Sequence, residues 1–222
     1  MALNYLTTEA AAPANAAIIW MHGLGATGYD FYTANLPEQL NLPNSIAIRF
    51  IFPHAPLRPV TINNGYTMPA WYDIHGLDRE SREDEVGLKE TEARIAELIE
   101  EQIRLGISAN RIILAGFSQG GAVALYCALR YPRSLGGVIA LSTYLPGSKS
   151  LATEANPANA ALPIFMAHGS LDETVILEWG EASRDTLETL GYTVDWHVYP
   201  MAHQLCAEEL VDMRGWLLRV LN

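Results

Sequence analysis

The pentapeptide from Gly116 to Gly120, centred on Ser118, constrains the fold of this chain more than any other segment. The apolar run 111–115 before it predicts a short buried strand, and the run 121–130 after it has the small residues and the spacing of a packed helix. A strand that turns directly into a helix needs glycine where the two backbones cross, because a side chain there would collide. This pattern is typical of a nucleophile elbow, in which a serine hydroxyl projects from a strained turn. A glycine-rich turn with a capping serine is the alternative.

The rest of the chain alternates strand patterns with helical patterns. Such alternation predicts an α/β fold, with a mostly parallel central sheet and helices on both faces. The predicted strands lie near 16–22, 45–52, 111–116, 136–142, 162–168 and 193–199, and the predicted helices near 31–40, 83–105, 119–131, 175–190 and 204–221. We expect residues 1–222 to form a single domain, in which 1–16 is an edge segment or a loose tail.

An acid and a histidine follow the serine in an informative order. Asp172 comes after the apolar run 161–168, and His203 comes after the alternating run 194–199. The order Ser, Asp, His is that of the α/β-hydrolase fold, whereas other serine triads have different orders. In such a triad the histidine takes the serine proton, and the acid holds the imidazole in the productive tautomer. We therefore predict that Ser118, Asp172 and His203 are catalytic.

Other acids and histidines are weaker candidates. Asp195 is the rival acid, but it lies inside a strand pattern rather than after one. His22 and His168 lie in loops beside the predicted catalytic residues, and we expect each to be a hydrogen-bonded scaffold residue. The sequence contains no His-Glu-x-x-His pattern and no clustered ligand spacing, so we predict neither a metal nor another cofactor.

A glycine-rich loop, residues 22–28, follows the apolar run 17–21. The tetrahedral intermediate of acyl transfer carries an oxyanion that needs backbone N–H donors at about 3 Å. We predict that the N–H groups of Leu24, in this loop, and Gln119, directly after the serine, are these donors. A phosphate-binding loop is the alternative, but the Gly-Lys-Ser/Thr ending that it needs is absent.

Composition and charge exclude several classes of partner. The net charge of −11, from 14 basic and 25 acidic residues, argues against nucleic acid and against an anionic membrane surface. No run reaches the roughly 18 apolar residues of a membrane helix. The N-terminus has no basic signal region and no lipidation motif, so we expect no stable membrane anchor. Cys127 and Cys206 lie in apolar contexts, which favours free thiols and a cytoplasmic protein.

These motifs resemble the carboxylesterase and acyl-protein thioesterase family, a group of small α/β-hydrolases, over nearly the whole chain. The matching pieces are 22–28, 53–63, 70–73, 116–121, 141–145, 168–172 and 199–203. The segments 53–73 and 141–145 resemble the bacterial carboxylesterase branch in particular. The chain departs from the family at Thr27, where an acidic residue is common, and at Ala202, where glycine is common. Neither departure removes a catalytic atom.

The resemblance implies that segment 53–80 folds over the active site as a flap that shapes an acyl-binding groove. Its apolar residues could instead pin the loop to the sheet. The substrate-binding residues implied by the resemblance are Met68, Trp71, Ile74, Leu77, Tyr144, Leu171 and Val175.

The implied function is that of a serine hydrolase. It would cleave carboxylic esters or thioesters of short to medium acyl groups through an acyl-enzyme, acting on a small-molecule ester or an acylated substrate. The resemblance also allows a homodimer. An acyltransferase that uses the same acyl-enzyme is one alternative, and a catalytically silent binding protein of the same fold is another.

Overall fold

The computed structural model describes residues 3–8, 13–43, 45–76 and 83–222. Its strands are β1 (Tyr5–Thr8), β2 (Ala16–Met21), β3 (Ile48–Pro53), β4 (Leu57–Val60), β5 (Tyr66–Pro69), β6 (Ile112–Phe117), β7 (Gly137–Leu141), β8 (Ile164–Gly169) and β9 (Val194–Tyr199). Its α-helices are α1 (Gly28–Thr33), α2 (Leu36–Leu40), α3 (Glu85–Arg104), α4 (Gln119–Arg130), α5 (Ser148–Glu154), α6 (Leu177–Thr189) and α7 (Ala207–Val220). Short 3-10 turns lie at Thr61–Asn63, Ala109–Arg111 and Pro157–Asn159.

Seven strands form one sheet in the order β1-β3-β2-β6-β7-β8-β9, and β4 pairs with β5 in a separate hairpin. β1 is antiparallel to β3, whereas the other neighbouring strands of the large sheet are parallel. The parallel strands therefore end at one common edge, and the loops after β2, β6, β8 and β9 lie along it. In open α/β sheets ligands bind at this edge. The predicted α/β fold with a mostly parallel sheet is confirmed.

The core consists of two apolar layers, one on each face of the sheet. Because side chains alternate along a strand, Ile19 of β2 packs in the layer that contains α3 and α4, while Ile18 packs in the layer that contains α2 and α7. The apolar stripe of α3 lies in the first layer, where Ile95 and Ile99 are fully buried. The stripe of α3 is therefore core packing.

The predicted strands, and all predicted helices except one, agree with the observed bounds within three residues at each end. The predicted helix 31–40 is wrong, because the chain forms two short helices there. Asn35 between them has φ 56°, a left-handed conformation that an α-helix cannot contain. The β4–β5 hairpin and α5 were not predicted. Residues Tyr5–Thr8 form an edge strand rather than a tail.

One carboxyl group is buried where α7 begins. Glu209 has no exposed surface, and no side chain among the described residues pairs with either of its carboxyl oxygens. Burial raises the pKa of Glu209 from 4.5 to about 8. Between these two values the folded protein keeps a proton that the unfolded chain has lost. The free energy of unfolding therefore falls as the pH rises through this interval.

Replacing Glu209 with Gln removes this titration. From about pH 5 to about pH 8, we expect the free energy of unfolding of the wild type to fall by a few kcal/mol more than that of Glu209→Gln. Urea unfolding at several pH values measures the difference. The control is Glu208→Gln, which changes the exposed neighbouring carboxylate and should keep the wild-type pH dependence. Parallel pH profiles for the wild type and Glu209→Gln would contradict the prediction.

Candidate active site

The turn between β6 and α4 is built around Ser118, whose backbone has φ 55° and ψ −124°. A positive φ is strained for a residue with a side chain, and such strain is concentrated at functional turns. A Cβ atom on Gly116 would lie 2.3 Å from the carbonyl carbon of Gly120, and one on Gly120 would lie 2.2 Å from the carbonyl oxygen of Met21. Three backbones therefore meet beneath Ser118 with no room for a side chain.

Hydrogen bonds satisfy both main-chain groups of Ser118. Its N–H donates to the carbonyl oxygen of Leu141 at 2.8 Å. Its carbonyl oxygen accepts from the N–H of Ala122 at 3.1 Å and from the hydroxyl of Thr143 at 2.7 Å. The contribution of Thr143 was not predicted, because 25 residues of sequence separate it from the serine. The side-chain hydroxyl is the polar group of Ser118 that remains for chemistry.

Asp172 and His203 form a short hydrogen bond at the same edge of the sheet. Nδ1 of His203 donates to Oδ2 of Asp172 at 2.6 Å. The other carboxylate oxygen, Oδ1, accepts from the backbone N–H groups of Thr174 and Val175, both at 2.9 Å. Because the Asp172 side chain has no exposed surface, these three donors hold it in one orientation. The two residues come from the loops after β8 and β9.

The imidazole of His203 lies beside the serine turn. Its ring packs on the ring of Phe117, with the two centroids 4.6 Å apart. Phe117 directly precedes Ser118 in the chain. The structure thus brings the three residues of the predicted triad to one edge of the sheet.

The rival acid, Asp195, lies elsewhere. It is inside β9, where it is hydrogen-bonded to His197 at 2.9 Å and paired with Arg219. Its carboxylate is therefore engaged by a different histidine and a cation.

A second histidine supports the loop that carries Asp172. His168 is buried at the end of β8, and its Nε2 donates to the carbonyl oxygen of Val175 at 2.7 Å. Burial lowers the pKa of His168, so the ring is neutral and leaves the negative charge of Asp172 to His203. Gly180 makes room for the ring, since a Cβ atom there would lie 2.5 Å from Nδ1. His168 is a hydrogen-bonded scaffold residue, as predicted.

The loop after β2 passes close to the serine. A Cβ atom on Gly23 would lie 3.4 Å from the Cβ of Ser118. Gly25 has φ 75°, and its N–H donates to the carbonyl oxygen of Pro69 at 2.9 Å, which ties the loop to the β4–β5 hairpin. Within the described ranges, the N–H groups of Leu24 and Gln119 make no hydrogen bond to a protein acceptor.

The side chain of Gln119 makes two hydrogen bonds to the main chain of residues 71–72, which follow the β4–β5 hairpin. Its Oε1 accepts from the N–H of Trp71 at 2.9 Å, and its Nε2 donates to the carbonyl oxygen of Tyr72 at 2.8 Å. Sequence reasoning missed this side-chain contact because its partners are 48 and 47 residues away.

Trp71 lies beneath the surface. It is fully buried, and its indole N–H donates to the carbonyl oxygen of His22 at 2.9 Å. A ligand at the surface therefore cannot touch Trp71 as the side chain stands, in contrast to the predicted place of this residue in the groove.

Two of the other predicted groove residues line a cavity. Ile74 and Tyr144 form part of the wall of a space of about 620 Å³, and the Tyr144 hydroxyl lies 2.7 Å from that of Tyr72. Among the described residues that line it, neither Ser118 nor His203 is found.

The remaining described groove residues differ in their surroundings. The thioether of Met68 accepts a hydrogen bond from the side chain of Asn63 at 3.4 Å. Leu171 is 64% exposed beside Asp172, while Val175 is buried. Leu77 lies outside the described residues.

The two departures from the family pattern are accommodated locally. Thr27 caps α1: its N–H donates to the carboxylate of Asp30 at 2.7 Å, and its hydroxyl oxygen accepts from the N–H of Tyr29 at 3.3 Å. Ala202 does not adopt a positive φ, so its methyl group imposes no backbone strain.

None of the helices described is long and apolar enough to cross a membrane. The same ranges contain no group of three or more His, Cys, Asp or Glu side chains that could hold a metal ion.

A mostly parallel sheet, a serine on a strained strand-to-helix turn and an Asp–His pair at the same edge define the α/β-hydrolase class. The family model described as "Phospholipase/Carboxylesterase" matches residues 4–221, and the chain belongs to this family. The predicted resemblance is confirmed at this level. A likeness to the bacterial branch in particular stays a prediction.

The sequences of two fungal proteins align with most of this chain. It is 42% identical to acyl-protein thioesterase 1 of Neurospora crassa, over 96% of this chain and 89% of the relative. It is 37% identical to acyl-protein thioesterase 1 of Yarrowia lipolytica, over 91% and 90% of the two chains.

Solved structures agree in fold. Acyl-protein thioesterase 2 of Zea mays has a TM-score of 0.88 at 30% identity, with 99% of both chains covered. SOBER1 of Arabidopsis thaliana has a TM-score of 0.88 at 31% identity, covering 94% of this chain and all of the other. The carboxylesterase of Bacillus cereus, with a TM-score of 0.78 at 20% identity over 98% and 94% of the chains, shows the fold alone.

The backbone crossing beneath Ser118 predicts a large penalty for any added methyl group. We expect Gly120→Ala to destabilise the protein by about 3 kcal/mol or more, because its Cβ would overlap the backbone of β2. The matched control is Gly215→Ala in α7, where the nearest atom lies 3.9 Å away. This control should gain about 0.5–1 kcal/mol from helix propensity. Urea unfolding compares the two, and wild-type stability in Gly120→Ala would contradict the expectation.

Proposed function

We propose that this protein is a serine hydrolase that cleaves carboxylic esters or thioesters of short to medium acyl groups through an acyl-enzyme on Ser118. The observation that carries the proposal is the 2.6 Å hydrogen bond between Asp172 and His203. It lies at the edge of the sheet where Ser118 projects from a turn with φ 55°. A nucleophile, a base and an acid in this order are what acyl transfer requires. Membership of the phospholipase/carboxylesterase family supports the same chemistry.

His203 activates the nucleophile in this mechanism. Because Nδ1–H donates to the Asp172 carboxylate, the neutral ring has its lone pair on Nε2. Nε2 takes the proton of the Ser118 hydroxyl as Oγ forms a bond to the substrate carbonyl carbon. The imidazolium that results is stabilised by the negative charge of Asp172.

The tetrahedral intermediate then needs an anion site. The N–H groups of Leu24 and Gln119 donate to the oxyanion, and one such donor lowers the activation barrier by about 3–4 kcal/mol. When the intermediate collapses, the bond from carbon to the leaving oxygen or sulfur breaks, and His203 returns its proton to the departing alcohol or thiol. A water molecule repeats these steps on the acyl-enzyme and releases the carboxylic acid.

The names of the relatives support thioesters as well as esters. Two of them are acyl-protein thioesterases, so we include S-acylated cysteine side chains among the proposed substrates. We propose that the acyl group packs against Met68, Ile74, Tyr144 and Leu171, each of which keeps some exposed surface, whereas Val175, like Trp71, is buried. Leu171 supports this assignment, because it exposes an apolar side chain beside the buried Asp172.

Ser118→Ala removes the nucleophile, and we expect it to lower kcat/KM by several orders of magnitude, since no other group can form the acyl-enzyme. The substrates are p-nitrophenyl esters of increasing chain length and a peptide carrying the same acyl group on cysteine or on serine. The matched control is Ser134→Ala, an exposed serine before β7, which should keep wild-type activity.

Two results of this experiment would change the assignment. If the wild type turns over neither esters nor thioesters, the hydrolase proposal fails and the silent binding protein becomes the better interpretation. If acyl product accumulates on an added alcohol in preference to water, the protein is an acyltransferase that uses the same acyl-enzyme.

Asp172→Asn keeps the size of the side chain but removes its negative charge. The amide oxygen would still accept from the N–H groups of Thr174 and Val175, so an NH2 donor would replace the acceptor Oδ2 that faces His203. The amide favours the wrong tautomer of His203, so we expect kcat to fall about 10⁴-fold with little change in KM. Glu173→Gln, the same chemical change at the exposed neighbouring residue, is the control. A loss below tenfold in Asp172→Asn would remove this residue from the triad.

The cytoplasmic location stays a prediction. The resemblance allows a homodimer, and size-exclusion chromatography with light scattering measures the oligomeric state.

A further inference from the structure

The first residue after β2, His22, is a fully buried histidine with both ring nitrogens in use. Nδ1 lies 2.7 Å from the carbonyl oxygen of Gly23, the next residue along the chain. Nε2 lies 3.1 Å from the backbone nitrogen of Ala55, whose N–H points at it. The ring also packs beside Trp71, with the two centroids 5.1 Å apart.

These two contacts fix the tautomer of His22. A backbone N–H can only donate, so Nε2 must accept from Ala55 and carries no proton. A carbonyl oxygen can only accept, so Nδ1 must carry the proton and donate it to Gly23. Both hydrogen bonds are satisfied by the neutral ring, and protonation of Nε2 would break the bond to Ala55. Burial lowers the pKa of His22, which keeps the ring in this form.

The bond to Gly23 determines how the following peptide group is turned. A trans peptide is planar, so the carbonyl of Gly23 and the N–H of Leu24 point in opposite directions. The Gly23 carbonyl oxygen also accepts from the N–H of Ala26 at 3.2 Å. Two donors therefore hold this oxygen on one side of the loop, and the Leu24 N–H faces away from the His22 ring.

The peptide group before Gly23 is held as well. The carbonyl oxygen of His22 accepts from the indole N–H of Trp71 at 2.9 Å. The Cα of Gly23 sits against Ser118, where an added Cβ would lie 3.4 Å from the Cβ of the serine. Two successive peptide planes are thus oriented directly beside the nucleophile.

We propose that His22 is a positioning residue, whose Nδ1–H turns the Gly23–Leu24 peptide so that the Leu24 N–H is presented to the oxyanion. The effect of His22 on catalysis rests on the proposed function. The tautomer of His22 and its hydrogen bonds do not depend on that function, because they can be measured in the folded protein without substrate.

The state of the ring is tested without any substrate. Ring-nitrogen NMR of isotope-labelled protein, with the His22 signal assigned by its loss in His22→Asn, reports which nitrogen carries the proton. We expect Nδ1 to be protonated and Nε2 to be free at pH 8, as the contacts to Gly23 and Ala55 require. An Nε2–H tautomer at this pH would overturn the proposal.

The kinetic test separates orientation of the donor from general damage. In a thionoester C=S replaces C=O, and sulfur is a weak hydrogen-bond acceptor. The N–H donors of an oxyanion site therefore stabilise the tetrahedral intermediate of a thionoester only weakly. The ratio of kcat/KM for an ester to kcat/KM for its thionoester therefore measures that site. His22→Asn places an amide donor near the position of Nδ1, whereas the longer His22→Gln places its amide near Nε2 and leaves the Gly23 carbonyl without this donor.

We expect His22→Gln to lower the ester-to-thionoester ratio about tenfold or more, mainly through kcat, and His22→Asn to keep most of it. An equal loss on both substrates in both variants, with the ratio unchanged, would show a merely structural role and overturn the proposal. If the wild type hydrolyses neither substrate, the proposed function fails, and the NMR measurement still decides whether His22 holds the Gly23 carbonyl.

Discussion

The crossing of β2, β6 and α4 at Gly120 is the contact on which the arrangement of the site depends. Atoms of one backbone lie where a Cβ of another would be, and a Cβ on Gly120 would come within 2.2 Å of the Met21 carbonyl oxygen. The start of α4 therefore packs directly on the sheet, and Ser118, the residue before this helix, lies at the ends of the strands. The loop after β2 starts at the same crossing, so one contact sets both the serine and the loop beside it.

The loops at this edge are held by buried, neutral imidazoles. His22 and His168 each end or follow a parallel strand, and each donates from a ring nitrogen to a backbone carbonyl at 2.7 Å. Burial lowers the pKa of both rings. A neutral donor can fix a backbone at the centre of the site without adding a positive charge that would compete with His203 for Asp172.

The parts of this structure that could be predicted from the sequence depend on local signals. The periods of strands and helices, and the order Ser118, Asp172, His203, are visible over short stretches of sequence. The break at Asn35 depends on one left-handed residue within an otherwise helical pattern. The burial of Trp71 and the two hydrogen bonds of the Gln119 side chain depend on partners nearly 50 residues away in the sequence, which no local period reveals.

The proposed nucleophile, Ser118, and the proposed base, His203, differ in how firmly the sheet holds them. Ser118 follows β6, which has a partner strand on each side, whereas His203 follows β9, an edge strand paired with β8 alone in the large sheet. Edge elements open in local fluctuations that leave the centre of a protein folded. Heating would then separate His203 from Ser118 while the central strands persist. The thermal half-life of activity would report the opening of one edge, not the melting of the whole chain.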